Sequence, residues 1–346
     1  MNRAVTTCSF VTFVLACQDR VPERIAPPPS QVKPFNQPGQ EREDGWWNRG
    51  DAACPPGGKL MGDTPERANA ANTSVYGSSV ILKAWCTNDL GIKHGPWIDW
   101  YADGTKHKEG NRFRDQLEGA YFEWYPGGQP KTAGAFNQGR QHGRWITWFE
   151  NGNKESDGEY KDAVLVGTHT SWRADGSREA EQTYRLGVLD GPWRRWHADG
   201  KIEAEGRYVD GKEQGTWSVW YASGQLAIRS TYEQGKRHGA WTEWYPNGKI
   251  KTDGTHHDGA KHEKWTTWSQ DGSKATQGAY LNGNKLGPWL EWTTKGKQSG
   301  EYKDGLRDGK WIVSKGKGKR KKKADTIVHF ENGVVKDGSA AALLDP

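Results

Sequence analysis

Residues 239–262 read GAWTEWYPNGKIKTDGTHHDGAKH, and this segment decides the fold. An aromatic stretch from Trp241 to Tyr245 runs into Asn247 and Gly248. Asn-Gly tolerates φ > 0 at both central positions, so the pair predicts a type I′ hairpin turn. The stretch Lys249–His256 follows as a second strand and contains Gly254, where a neighbouring ring can lie against the backbone. Asp258 and Gly259 make a second turn, and Ala260 to His262 lead into the next aromatic stretch. There is no room for a helix.

The same 24-residue unit recurs on both sides. Its first position is held by Gly95, Gly119, Gly143, Gly167, Gly191, Gly215, Gly239, Glu263 and Gly287, and a shortened unit restarts at Gly309. Position three holds Trp97, Tyr121, Trp145, His169, Trp193, Trp217, Trp241, Trp265, Trp289 and Trp311. Position six is Trp in nine consecutive units, from Trp100 to Trp292. These two columns take 17 of the 20 Trp, which excludes chance periodicity. A hairpin cannot bury its faces alone, but stacked neighbours can. The expected fold is therefore all-β, an elongated single-layer antiparallel meander of stacked hairpins. Ten hairpins of two strands, spaced about 4.8 Å, make a sheet roughly 95 Å long. Positions three and six fall on opposite faces of a regular strand, or on one face if a bulge intervenes. Either arrangement is compatible with the sequence.

Composition supports a thin sheet. Leu, Ile, Val and Phe make up 49 of the 346 residues, about 14%, below the roughly 20% that usually marks disorder. The 20 Trp and 12 Tyr oppose a disordered reading. So few aliphatics exclude a Rossmann-type enzyme or a TIM barrel, whose buried strands are Val, Ile and Leu runs. No stretch is long and apolar enough for an ordinary transmembrane helix. The net charge is +6, and without the seven cations between Lys315 and Lys323 it would be −1. A nucleic-acid role would rest on that run alone, which reads more simply as a solvated loop; no nucleic-acid partner is expected.

Residues 1–16 resemble a short lipoprotein signal, ending Val14, Leu15, Ala16 before Cys17. The resemblance implies that Cys17 carries lipid and that the mature chain is anchored to a membrane. Gln18 after the Cys suits the outer membrane. Residues 17–50, with Pro27, Pro28 and Pro29 among polar neighbours, read as an extended tether. In an exported chain Cys54 and Cys86 are a disulfide candidate. They frame an N-terminal cap at residues 51–94, ahead of the repeats at 95–314. Residues 315–346 hold the basic loop and a hairpin with Asn332 and Gly333 at its turn, which would cap the array.

The unit closely resembles the MORN-repeat variant, in the form known in bacteria as the YwqK-type antitoxin repeat family. That resemblance implies a single-layer sheet used for binding. Chemistry agrees by default: there is no phosphate loop, no H-E-x-x-H pair and no nucleophile elbow. His94, His142, His238 and His262 share the last column, but units two strands apart, roughly 9–10 Å, are too distant for one zinc. No catalytic residue, metal or cofactor is expected. The leading expectation is a non-catalytic, membrane-anchored repeat scaffold that offers its aromatic sheet to a protein partner, with self-association as a further use. A cognate toxin, a glycan or a lipid headgroup are the alternatives. Trp193, Trp196, Trp217, Trp220, Trp241 and Trp244 form the candidate surface.

Overall fold

A computed structural model describes residues 45–64, 82–294, 296–314 and 325–336. Cys17, nearly all of the Pro-rich tether and the Lys315–Lys323 run lie outside the described residues. The remainder, numbered β1–β23 in chain order, forms one sheet in which each strand pairs antiparallel with the next. Each repeat supplies two strands, as in β13 (Lys212–Trp220) with β14 (Leu226–Glu233), and β15 (Lys236–Trp244) with β16 (Ile250–His257). The expected meander is what the chain adopts.

Both ends are closed by apolar clusters. At the N-terminal end a 3-10 helix over Trp46–Ala53 begins inside the stretch read as tether. It packs Trp47 against Leu60 of β1 (Leu60–Gly62), Ala84 and Cys86 of β2 (Leu82–Thr87), and Ile98 and Trp100 of β3 (Lys93–Trp100). A disulfide joins Cys54 to Cys86 across 32 residues. At the other end Trp289, Tyr302, Trp311 and Val313 bury Val328 and Phe330 of β22 (Thr326–Glu331). The last strand, β23 (Val334–Val335), folds back through Asn332 and Gly333, both at positive φ, as the capping-hairpin reading requires.

The turn chemistry differs from expectation. Asp103, Asn151, Asp175, Asp199, Asn247 and Asp271 do not adopt positive φ, so the turns after the aromatic strand are not type I′. They are three-residue loops instead. Gly104 N donates to Tyr101 O at 3.0 Å, Tyr101 N donates to Thr105 O at 2.8 Å, and Gly104 sits at φ 86°. This is a type I turn whose splay is corrected by a left-handed glycine in a G1 bulge. The acid or amide before the glycine selects it. Its side-chain oxygen accepts the N–H two residues on, from Thr105, Asn153, Ser177, Lys201, Lys249 or Ser273. The type I′ pairs occur at the opposite ends of the strands, as in Asp210-Gly211 and Asp258-Gly259, where both residues have positive φ. Each such turn also reaches back to the preceding repeat: Gly211 N donates to Leu189 O, and Gly259 N to Arg237 O, both at 2.8 Å.

The first-column glycine is a bulge. Gly215 lies at φ 73°, where pairing slips between Glu205–Ser218 and Arg207–Gln214. The bulge precedes position three, and pairing from position three to position five is regular, as in Trp145–Gly158 through Thr147–Ser156. A register shift follows between positions five and six, with its extra residue on the partner strand. The two Trp columns lie on opposite faces: Trp100 clusters with Ile98 and Trp124 with Phe122, whereas Tyr121 packs on Trp97 and Trp145. Position-three rings sit on the glycine of the preceding strand: a Cβ at Gly206 would stand 2.2 Å from Trp217 Cδ2, and one at Gly254 2.2 Å from Trp265 Cδ2. The same seat holds Trp145 over Gly134, Trp289 over Gly278 and Trp311 over Gly300. A Tyr column lies two residues after the seat position, at Tyr160, Tyr184, Tyr208, Tyr232 and Tyr280, and its rings close the stack edge-on, with Trp217 centred 5.1 Å from Tyr208 and 6.1 Å from Tyr232.

Three outcomes follow from this packing. Gly206→Ala forces the Trp217 ring off its seat and should cost about 1–3 kcal/mol in denaturant unfolding. Glu263 occupies the bulge position at φ 59°; Glu263→Gly relieves a left-handed non-glycine and should raise stability by about 1 kcal/mol. Reducing the Cys54–Cys86 bond opens a 32-residue loop and should lower unfolding free energy by roughly 3–4 kcal/mol, read as a drop in melting temperature on adding reductant.

Candidate functional site

The six Trp singled out in repeats five to seven divide between the two faces. Trp193, Trp217 and Trp241 share one face with the Tyr column; Trp196, Trp220 and Trp244 share the other. A partner lying flat on the sheet meets one triplet, not a double column. All six are half-buried, whereas Trp97, Trp145, Trp265, Trp289 and Trp311 in column three are buried. Part of the reason is the seat. Trp193 and Trp241 stand opposite Gln182 and Ser230, which replace the glycine.

The position-six rings are held differently. In several repeats a cation from the preceding unit lies over the ring: Lys154 over Trp172 at 4.9 Å, Arg178 over Trp196 at 5.1 Å. In the next units Ile202, Leu226 and Ile250 occupy that cation position. The backbone of these Trp is pinned from the neighbouring repeat by the residue at position seven. Tyr221 Oη donates to Trp244 O and Tyr245 Oη to Trp268 O, both at 2.8 Å. His197 Nε2 lies 3.0 Å from Trp220 O, and Arg173 bonds Trp196 O. The sequence reading used the aromatic character of position seven and missed this role; the recurrence of a long donor there was the available signal.

Two carboxylates on the Tyr-column face are paired. Glu123 accepts from Lys131 at 2.8 Å and from Tyr121 Oη at 3.2 Å. Burial pushes its carboxyl up, but the Lys131 bond and the Lys108 charge outweigh it and hold it below the usual carboxylate range. Near the C-terminal cap Glu291 accepts from Arg307 at 2.7 Å and from Tyr302 Oη at 2.9 Å, in the wall of a depression of about 850 Å³. Arg307 is itself 4.5 Å above the Trp311 ring. Both carboxylates are held in structural pairs.

The edge bearing the two-residue turns carries a cross-strand row that the sequence reading did not assemble. His238 Nε2 lies 3.7 Å from Glu233 Oε2. The His238 and His257 rings are 4.9 Å apart, and the His257 and His262 rings 5.5 Å. The last-column histidines are indeed two strands apart, but His257 stands on the strand between them. Its signal was the two-residue turn, which sets position 19 beside position 24 across strands.

The geometry defines an open single-sheet repeat scaffold built from hairpins. Residues 141–162, 189–210, 213–234 and 237–258 match the MORN repeat variant. The chain thus carries MORN-variant repeats, as the aromatic and glycine columns implied. No curated protein matches it.

His256 replaces Tyr in the Tyr column. It is buried, 5.0 Å from the Trp265 ring and 5.4 Å from Trp241, with Nδ1 unpartnered. Burial, then the charges of Arg237 and Lys261, lower its pKa to about 4. The folded value lies below the unfolded one, near 6.5. Its contribution to stability is therefore complete above about pH 6.5 and is lost as the pH falls toward 4. His256→Tyr should flatten that part of the pH–stability profile, measured by thermal melts between pH 7 and about pH 4.

Proposed function

We propose that this chain is a non-catalytic, membrane-anchored scaffold that binds a protein partner through the face bearing Trp196, Trp220 and Trp244. The observation that carries the reading is the half-exposed aromatic row in the middle of the sheet. Toward both ends the column-three rings are buried, and the glycine seats all lie on that opposite face, under position three. The Trp196–Trp244 row is thus free of the seat that fixes Trp217. Large rings with partly accessible edges bring contact area at modest entropy cost. The MORN-variant repeats support a binding role.

Anchoring rests on Cys17 and the Pro-rich residues after it. A fatty-acid probe should label the wild type and not Cys17→Ala; equal labelling would remove the anchor from the reading.

Trp220→Ala tests the surface. Loss of captured partner with an unchanged melting temperature assigns the row to binding. Unfolding of the variant assigns it to the scaffold, and the binding face must then be sought elsewhere.

A further inference from the structure

The row at the turn edge has a chemistry of its own. Glu233 ends β14 (Leu226–Glu233), His238 and His257 stand on β15 and β16, and His262 stands on β17 (Ala260–Trp268). His257 is three residues from Gly254, which pairs with Trp241, so its imidazole lies on the face opposite that ring. The neighbouring cations are on the other side: Arg237 lies 4.6 Å over Trp241 and Lys261 4.5 Å over Trp265. The imidazoles are therefore spared a cation on their own face from these two residues.

We propose that His238 and His257 form a chelate for a divalent transition-metal ion of the zinc, nickel or copper type. Two imidazoles on a tetrahedral zinc, with Zn–N bonds near 2.0–2.1 Å, have ring centroids about 5 Å apart. The observed separation is 4.9 Å. Each ring also has a carboxylate at one nitrogen. Glu233 Oε2 is 3.7 Å from His238 Nε2, and Asp258 Oδ2 is 3.7 Å from His257 Nδ1. At 3.7 Å these carboxylates are not hydrogen-bonded to the rings, but they place negative charge beside both imidazoles, which favours a bound cation. Among the described residues no three His, Cys, Asp or Glu side chains are placed to hold one ion. The site is accordingly a two-imidazole chelate completed by water, open to exchange, and not a closed structural cage. Imidazole donors select these metals over calcium or magnesium, which take oxygen.

The test is titration of the untagged full chain with Zn²⁺ and Cu²⁺ by calorimetry, with EPR of the Cu²⁺ form. The expected result is binding that His238→Asn or His257→Asn weakens by at least about tenfold, and a copper signal split by two imidazole nitrogens. His142→Asn serves as the control, because its flanking rungs Asn137 and Lys161 offer no imidazole. It should leave binding unchanged. Far-UV dichroism of the variants separates lost ligands from lost fold, since His238 and His257 are not buried. Absence of binding at millimolar metal, or equal affinity in the wild type and a folded His238→Asn, His257→Asn double variant, would overturn the site.

Discussion

The structure depends on one contact: the indole of position three lying flat on a glycine of the preceding repeat. That contact needs both partners. A side chain at Gly206, Gly254 or Gly278 would stand within about 2 Å of the ring, and without the ring the glycine would be a weak point in a strand. Where the seat is present, under Trp145, Trp217, Trp265, Trp289 and Trp311, the ring of one repeat sits on the strand of the one before, and the hairpin is completed by its neighbour. The hydrogen bonds follow the same rule. Tyr221 reaches forward to Trp244 O, and Gly259 reaches back to Arg237 O. A single layer with few aliphatics is thus cross-linked along its length by aromatic contacts and by bonds at both strand ends.

Much of this was legible. The period, the two Trp columns, the glycine seats and the terminal hairpin follow from residue identities at fixed spacing, and the structure keeps them. The turn types did not follow. Asn247-Gly248 and Asp258-Gly259 look alike as dipeptides, yet only the second is type I′. What separates them is whether the acid or amide side chain bonds the N–H two residues on, as Asn247 does to Lys249. That is a matter of loop length, which a dipeptide rule does not contain.

The candidate surface was legible as a set of residues but not as a surface. Trp217 and Trp220 belong to the same aromatic stretch and yet point to opposite faces, because the bulge at Gly215 precedes both and the later register shift, between Val219 and Trp220, takes its extra residue, Ala227, from the partner strand. Likewise, reading the last column alone left His238 and His262 isolated. Their neighbour His257 belongs to a different column and meets them only through the register that the Asp258-Gly259 turn imposes. Contacts within a repeat are visible along the chain; contacts between columns appear only once turn geometry has set the register.

The short outermost strands bear on how such a sheet stays single. An open sheet of 23 strands offers two edges at which another chain could add strands without limit. Among the described residues one outermost strand is Leu60–Gly62 and the other Val334–Val335, three and two residues against eight to ten in the repeats. The first is also tied beside the Cys54–Cys86 bond and its 3-10 helix. An incoming strand would find too few free amides and carbonyls at either edge to repay the entropy of docking. The tapering ends therefore act against fibril growth, and they do so by geometry, with no charged gatekeeper required.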